Sequence, residues 1–324
     1  MRAVRKVQDD LYLDPDAPTP KAGAGQALIR VTRVLLGEAD VAVAQGRIEH
    51  EGVLGYQFVG VVEQCDDAKW VSKRVVGNIH ISDPSSELAR RGLGNHDPDR
   101  VVLGLKGRDG CLAEHFVLET RNLCEIPDAV EDEHACFAFA LARAMHAGQV
   151  AHIEGRPFVS VLGEGLTGLL CAQVMTRLNA SVRLLSSQSD RLELCAKWGI
   201  KHRHIDEVGR RHDQDVIIET TGTPEGLSNA LHMVRPMGTI VLTGAPVPLN
   251  LPSIPIDEAL IADKEIRIVG SRCGSISEGI RAMSSGEIDL SGLITKRFKF
   301  DDAMGALRSA QDEHQIAVLV TLEN

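Results

Sequence analysis

The stretch PFVSVLGEGLTGLLCAQVMTRL, residues 157–178, decides the fold. The apolar segment FVSVL is followed at once by glycines in the spacing G-x-G-x-x-G, and these open an apolar segment with the composition of a buried helix. In such a unit the first glycine permits a tight turn, the second lets a pyrophosphate approach the backbone, and the third lets the helix pack on the strand. Unpaired N–H groups at the helix start favour an anion. The residues predicted to hold a dinucleotide pyrophosphate are Gly163, Gly165, Leu166, Thr167 and Gly168.

The segments that follow repeat this alternation of strand and helix. The predicted strands are SVRLLSS (181–187), DVIIETTG (215–222), GTIVLTG (238–244) and KEIRIVGS (264–271). Amphipathic segments of helical length separate the first three, and the pattern predicts a parallel sheet with helices on both faces. The residues predicted on the far side of the dinucleotide site are Thr221, Gly244 and Arg272.

In such a sheet, residues at the end of the second strand bind the adenosine ribose. An acidic residue about 20 positions after the glycines selects NAD, whereas a nearby arginine accommodates the 2′-phosphate of NADP. Here the strand ends in Ser186 and Ser187, and Arg191 lies one helical turn further on. We therefore predict NADP or NAD as the cofactor, with a slight preference for NADP.

The first part of the chain is β-rich. Short segments with many β-branched residues, separated by Gly, Pro and Asp, predict strands at 27–35, 58–64, 74–81 and 111–118. Residues 82–100 form a long polar loop, and residues 132–150 have the composition of a buried helix. After Ser271 come two helical segments and a closing strand, IAVLVTL (316–322).

Composition excludes several classes of protein. The 324 residues include 35 Lys and Arg against 45 Asp and Glu, which gives a net charge of −10 and argues against nucleic-acid partners. Seven cysteines occur without any C-x-x-C pair, so neither a disulfide scaffold nor a zinc ribbon is expected. The start has no signal-peptide core and no apolar segment has the length of a membrane span. These features predict a cytoplasmic two-domain protein without a membrane partner.

The whole pattern resembles the medium-chain dehydrogenase/reductase superfamily, specifically its zinc-type alcohol dehydrogenase relatives. LGYQFVGVVE (54–63) is similar to the G-H-E-x-x-G-x-V segment of that family, and DGCLAEHFVL (109–118) is similar to its G-x-x-A-E-Y/F segment. The resemblance implies an α/β protein in which a GroES-like β-rich domain (1–148 and 273–324) is interrupted by a Rossmann domain, a doubly wound parallel sheet (149–272). It also implies a small-molecule substrate and a homodimer or homotetramer.

The sequence departs from that family at its catalytic zinc ligands. The cysteine of the first ligand motif is replaced by Gly37 and its hydroxyl residue by Ala39, whereas Asp40 is retained. Tyr56 stands where the G-H-E motif carries histidine, and Phe139 falls in the helix that supplies the third ligand. Because zinc requires thiolate, imidazole or carboxylate ligands, we expect no metal at these positions.

The four cysteines of the family's structural zinc loop are missing as well. Their positions fall on Asp83, Ser86, Ala89 and Asp97. A relocated metal site built from Asp83, His96 and Asp97, or from Glu38, His80 and His146, remains as a weaker alternative.

Two functions follow for a dehydrogenase frame without zinc. The first is a zinc-independent NAD(P)-dependent oxidoreductase that transfers hydride to or from a small carbonyl, enone or quinone substrate. In that enzyme Tyr56 is the predicted proton donor, assisted by Asp40 or Glu38. The alternative is a catalytically silent paralogue that binds dinucleotide as a sensor or structural subunit. Gly37 and Ala39, which supply neither a ligand nor a proton relay, favour this second function, as does Glu38, where many relatives carry a basic residue.

Overall fold

A computed structural model describes residues 1–187, 191–209, 211–244 and 256–322. The chain divides into two compact units, one formed by Met1–Phe139 with the segment that starts at Leu293, the other by Ala140–Gly292. The second unit extends beyond the predicted boundaries of 149 and 272 because its flanking segments are tied to it. The Arg143 guanidinium donates to the Thr243 carbonyl (2.9 Å), and the Gln173 amide donates to the Asp289 carbonyl (2.8 Å).

The first unit begins with eleven strands and short helices. Its strands are β1 (Ala3–Val7), β2 (Asp10–Asp14), β3 (Gln26–Leu36), β4 (Gly52–Val53), β5 (Gln57–Cys65), β6 (Arg74–Gly77), β7 (His80–Ile81), β8 (Val101–Leu103), β9 (Gly107–Arg108), β10 (His115–Glu119) and β11 (Leu123–Glu125). Its helices are α1 (Glu38–Ala44), α2 (Glu87–Arg90) and α3 (Asp132–Ala135), and α4 (Ala138–Ala151) leads into the second unit.

The second unit alternates strands and helices, after which the chain returns to the first. The strands are β12 (Phe158–Leu162), β13 (Ser181–Ser186), β14 (Lys201–His204), β15 (Gln214–Glu219), β16 (Val234–Leu242) and β17 (Arg267–Gly270). The helices are α5 (Leu166–Arg177), α6 (Leu192–Lys197), α7 (Pro224–Met233), α8 (Glu258–Asp263) and α9 (Ile276–Ser284). The returning segment forms β18 (Ile294–Lys299), α10 (Ala303–Ala310) and β19 (Ala317–Thr321).

The main sheet of the first unit is built around β3. Among the described residues its strands follow the order β11-β6-β5-β3-β19-β18, and β10 also pairs with β3. The side chains of Ile29, Val34 and Leu118 are fully buried beneath it, as expected where apolar residues line one face of an antiparallel sheet. The β-rich first domain is confirmed.

The sheet of the second unit has the order β14-β13-β12-β15-β16-β17, and every strand pair in it is parallel. Leu162 is in register with Leu185 on one side and with Glu219 on the other. The carboxyl ends of β12, β13 and β15 therefore meet at one edge, and the glycine-rich turn leaves the sheet there. The predicted parallel α/β domain is confirmed.

Three predicted elements are interrupted. The strand expected at 74–81 breaks after Gly77, because the Asn78 side chain accepts a hydrogen bond from the His80 amide (3.1 Å) and forms a turn. The strand expected at 111–118 begins only at His115, since Leu112 instead bonds the Leu54 carbonyl (2.7 Å). The helix expected at 132–150 divides into α3 and α4. No helix in the described part of the chain combines the length and apolar character needed to cross a membrane.

Candidate functional site

The glycine-rich turn between β12 and α5 leaves no room for side chains at its ends. Gly163 has a φ of 106°, and a Cβ there would lie 2.5 Å from the Thr220 hydroxyl oxygen. A Cβ at Gly168 would lie 2.9 Å from the carbonyl carbon of Gly163, so only glycine lets α5 approach the turn. Gly165 is the N-cap of α5, and the first turn contains no acidic residue. The helix start thus suits a phosphate group.

The end of β13 meets this turn through Glu164. The Ser187 hydroxyl donates to the Glu164 carboxylate (3.1 Å), and the Arg191 guanidinium donates to the Glu164 carbonyl oxygen (3.2 Å). Ser187 is exposed, whereas Ser186 is buried in the sheet. The structure therefore brings Ser187 and Arg191 to the glycine-rich turn. It also places the Glu164 carboxylate beside the end of β13, a strand end that has no acidic residue of its own.

Glu219 organises the opposite side of the turn, and the sequence analysis missed it. It is buried, and its carboxylate accepts hydrogen bonds from the amides of Thr221 (2.7 Å) and Gly222 (3.1 Å) and from the Thr221 hydroxyl. A Cβ at Gly244 would lie 3.0 Å from the Cα of Gly222, so Thr221 and Gly244 belong to adjoining turns at the carboxyl ends of β15 and β16.

Two neighbouring threonines complete these turns. The Thr220 hydroxyl donates to the Leu162 carbonyl (2.7 Å), and Thr223 caps α7 by accepting from the Gly226 amide (3.0 Å). The segment ETTGTP (219–224) predicts the start of α7, because threonine before proline is typical of a helix start. Arg272 is half-buried two residues after the end of β17.

The three positions that the resemblance assigns to catalytic zinc ligands meet in the first unit. A Cβ at Gly37 would lie 2.8 Å from Tyr56 Cζ and closer still to the phenol oxygen. The Tyr56 and Phe139 rings pack edge to face, with centroids 5.7 Å apart, and the His80 ring lies 6.3 Å from that of Phe139. Tyr56 is 6% exposed. The phenol thus occupies the space into which a side chain at position 37 would project.

Asp40 fixes the backbone on both sides of this cluster. It is fully buried, and its two carboxylate oxygens accept hydrogen bonds from the amides of Gly37 and Gly55, each at 3.0 Å. Burial raises the pKa of Asp40 to about 7, although the two amide donors act in the opposite direction. Glu38 is exposed in the first turn of α1, and its predicted part in proton transfer stays a prediction.

Hydrogen bonds hold the loop that resembles the structural zinc loop. Ser86 caps α2 by accepting from the Ala89 amide (3.1 Å). The Ser86 hydroxyl also bonds Asp97, and that bond together with the Asp99 amide lowers the pKa of Asp97. Throughout the described ranges, no three His, Cys, Asp or Glu side chains are grouped so that they could hold a metal ion.

Comparison with known proteins agrees with this architecture. Residues 23–128 match the family model of the alcohol dehydrogenase GroES-like domain, and residues 167–285 match that of the zinc-binding dehydrogenases. The chain is 28% identical to L-threonine 3-dehydrogenase of Escherichia coli (strain K12 / DH10B), over 94% of this chain and 95% of that protein.

Two solved structures share the fold over the whole chain. Alcohol dehydrogenase TADH from Thermus sp. ATN1 superposes with a TM-score of 0.90 at 24% identity, covering 100% of both chains. A zinc-binding dehydrogenase from Sinorhizobium meliloti 1021, solved with NADP bound, also gives 0.90, at 22% identity and 99% coverage of each chain. With two domains that each match this fold in order, the chain belongs to the zinc-type alcohol dehydrogenase-like branch of the medium-chain dehydrogenase/reductases, a superfamily of NAD(P)-dependent oxidoreductases.

Proposed function

We propose that this protein is a zinc-independent NAD(P)-dependent oxidoreductase that transfers hydride to or from a small carbonyl, enone or quinone substrate. The observation that carries the proposal is the pairing of an intact glycine-rich turn with an aromatic cluster at the ligand positions. The second unit carries the glycine-rich turn typical of a dinucleotide-binding domain. The first unit carries a buried phenol at a position where the resemblance implies a metal ligand.

The glycine-rich turn supports dinucleotide binding. Gly163 and Gly168 are sterically required there, and the start of α5 at Gly165 presents backbone amides to a pyrophosphate. A bound nicotinamide supplies the hydride chemistry, while the protein orients the reactants and manages the proton. We assign Ser187 and Arg191, which contact Glu164 of this turn, to the adenosine ribose. The opposite side of the dinucleotide is assigned to the Thr221 and Gly244 turns and to Arg272 after β17.

The choice between NADP and NAD depends on two groups of opposite charge. The Arg191 guanidinium favours a 2′-phosphate, which agrees with the slight preference predicted for NADP. The Glu164 carboxylate, held by the Ser187 hydroxyl, instead suits a free ribose 2′-hydroxyl and repels a phosphate. We propose NADP as the preferred cofactor because of Arg191. We also propose that Glu164 reduces the preference for NADP over NAD.

The side chains at the ligand positions do not fit zinc. A zinc site needs three or four thiolate, imidazole or carboxylate ligands, whereas glycine, tyrosine and phenylalanine stand at positions 37, 56 and 139. Gly37 also cannot be exchanged for cysteine alone, since the Tyr56 ring blocks its Cβ. The two replacements are therefore sterically coupled. This coupling supports a site whose polar group is a phenol instead of a metal.

We assign to Tyr56 the donation of a proton to the substrate. Its hydroxyl can donate a hydrogen bond to a carbonyl oxygen and stabilise the negative charge that develops there. Asp40 is a positioning residue in this scheme, because its two oxygens accept hydrogen bonds from the backbone amides of Gly37 and of Gly55, the residue before Tyr56.

The first experiment measures NADH and NADPH binding by fluorescence, followed by cofactor oxidation with a panel of quinones, enones and aldehydes. We expect saturable binding and turnover with at least one acceptor class. Tyr56→Phe should lower kcat by about 10²-fold or more and leave cofactor affinity unchanged. Full turnover in Tyr56→Phe would refute the role of the phenol, and absence of dinucleotide binding would refute the proposal itself.

The alternative is a silent paralogue that binds dinucleotide as a sensor or structural subunit. Gly37 and Ala39 favour it, because neither supplies a metal ligand or a hydroxyl that could relay a proton. Tight NADPH binding without turnover across the whole panel would select this alternative. For either function we propose a cytoplasmic homodimer or homotetramer without nucleic-acid or membrane partners.

A further inference from the structure

A polar cavity lies in the parallel-sheet unit, beside the edge strand β14. Its volume is about 710 Å³. Four cationic side chains line it, Arg183, Lys201, Arg203 and Arg211, against two acidic ones, Glu207 and Asp213. This concentration of positive charge contrasts with a chain whose net charge is −10.

The strand register places the first three cations on one face of the sheet. Arg183 is paired with Ser160 on one side and with Lys201 on the other, and Arg203 is paired with Leu185. Paired residues of parallel strands point to the same face, as do residues two positions apart. The connection from β14 to β15 contains a 3-10 turn at Ile205–Glu207 and, in its described residues, no α-helix that would cover this face.

Arg183 is the unusual member of the group because it is half-buried within a sheet. One terminal nitrogen donates to the Ser160 hydroxyl (3.3 Å), which in turn donates to the Gln214 side chain (2.8 Å). Its Nε is buried and has no hydrogen-bond partner in the described part of the chain. Burial lowers the pKa of Arg183. A guanidinium left in this state is costly unless an anion comes to it.

Among the described residues, the other three cations of the cavity also lack a carboxylate partner. Within the described ranges, none of the four lies within ion-pair distance of a carboxylate. Elsewhere in the same unit cations are paired, as Lys197 is with Asp289 (3.1 Å) and Arg235 is with Asp215 (2.6 Å). Four such cations against Glu207 and Asp213 leave the lining with a net positive charge, which is the electrostatic character of an anion site.

We propose that this cavity binds a compact polyanion, a small molecule that carries two or more phosphate groups. Arg183 at the base and Lys201 and Arg203 at the rim contact separate phosphates, since guanidinium and ammonium groups recognise phosphate oxygens by charge-assisted hydrogen bonds. The site is separate from the glycine-rich turn, because Arg183 and Ser160 lie before the carboxyl ends of their strands. The inference therefore does not depend on dinucleotide binding.

The test is a calorimetric titration of inorganic tripolyphosphate into the full-length protein and two double variants. Lys201→Gln/Arg203→Gln removes two exposed cations of the cavity, and Arg267→Gln/Arg281→Gln removes two exposed cations of the same unit outside it. Both double variants change the net charge equally. NADPH affinity is measured on all three proteins as an independent readout of the glycine-rich turn.

We expect saturable 1:1 binding that weakens at least tenfold in the first double variant and less than twofold in the control, with NADPH affinity unchanged in both. Equal weakening in both variants would mean unspecific charge attraction and would overturn the proposal. So would absence of saturable binding, or tripolyphosphate affinity that survives in Lys201→Gln/Arg203→Gln. A failure of NADPH binding alone would refute the proposed oxidoreductase function and leave the anion site standing.

Discussion

Replacing Gly37 with alanine tests whether the Tyr56 phenol holds the space of a side chain at position 37. The added Cβ would lie 2.8 Å from both Tyr56 Cζ and Gln57 Nε2, and closer to the phenol oxygen. Tyr56 is 6% exposed and Gln57 is 4% exposed, so neither can swing into solvent without unpacking. The backbone itself accepts alanine, because Gly37 has an extended conformation with φ −116° and ψ 176°.

The expected cost comes from this crowding. Overpacking a well-packed core typically costs about 1–3 kcal/mol. Alanine in place of glycine at an N-cap costs roughly 0.5–1 kcal/mol more, and the lower entropy of alanine in the unfolded chain offsets this by about 0.4–1 kcal/mol. We therefore expect Gly37→Ala to lower the free energy of unfolding by about 1–3 kcal/mol. Tyr56→His shortens the side chain and should reduce this cost to below about 0.5 kcal/mol, as neighbouring residues are expected to couple.

A double-mutant cycle measures that coupling. Urea unfolding of wild type, both single variants and the double variant would be followed by the fluorescence of Trp70, which lies in the same unit, in a Trp198→Phe background that silences the only other tryptophan. Gly23→Ala serves as a control for unrelated glycine effects, because Gly23 is exposed and a Cβ there would meet only the end of the Gln26 side chain. A coupling energy of about 1 kcal/mol or more supports the account; additive effects would show that Tyr56 does not occupy the space at position 37.

Three further predictions concern the dinucleotide turn and the buried carboxyl. Gly168→Ala should weaken NADPH binding at least tenfold in a fluorescence titration, because its Cβ would meet the Gly163 backbone; Gly199→Ala, which has open space around it, should not. Glu164→Gln should raise the ratio of NADPH to NADH affinity about three- to tenfold, since it removes a carboxylate from the ribose end; an unchanged ratio would contradict the role given to Glu164. Because burial raises the pKa of Asp40 to about 7, the folded state keeps a proton that the unfolded state releases near pH 4. The free energy of unfolding should therefore fall by roughly 4 kcal/mol as the pH rises from 4 to 7. Asp40→Asn should lack this contribution when urea midpoints are compared across that range.

Sequence reasoning recovered the parallel sheet because its signals are local. The apolar strand before Gly163 and the glycine spacing both follow from the chemistry of a single strand–turn–helix unit, and the structure places α5 where they indicated. The interrupted strands escaped prediction for a different reason. The break after Gly77 is a turn made by the Asn78 side chain, and Leu112 bonds Leu54, a partner far away in the chain. Hydrophobic periodicity reports neither contact.

The site was recovered in part for similar reasons. Thr221 was predicted, but the buried Glu219 that holds it was not, because a carboxylate at a strand end gives no sign of the amides it will accept. The hydrogen bond between Ser187 and Glu164 forms because β12 and β13 lie side by side, and the sequence gives no sign of it. The steric link between Gly37 and Tyr56 likewise needed coordinates.

The most direct test of the central claim is metal analysis of a sample that is turning over. Protein purified without added metal would be assayed for NADPH or NADH oxidation with its best quinone or enone acceptor, before and after dialysis against a chelator, and its zinc content would be determined by elemental analysis on the same fractions. We predict less than about 0.1 zinc per chain and an unchanged kcat after chelation, since Gly37, Tyr56 and Phe139 do not supply the ligands of a zinc site. Stoichiometric zinc whose removal abolishes turnover and whose return restores it would contradict the account.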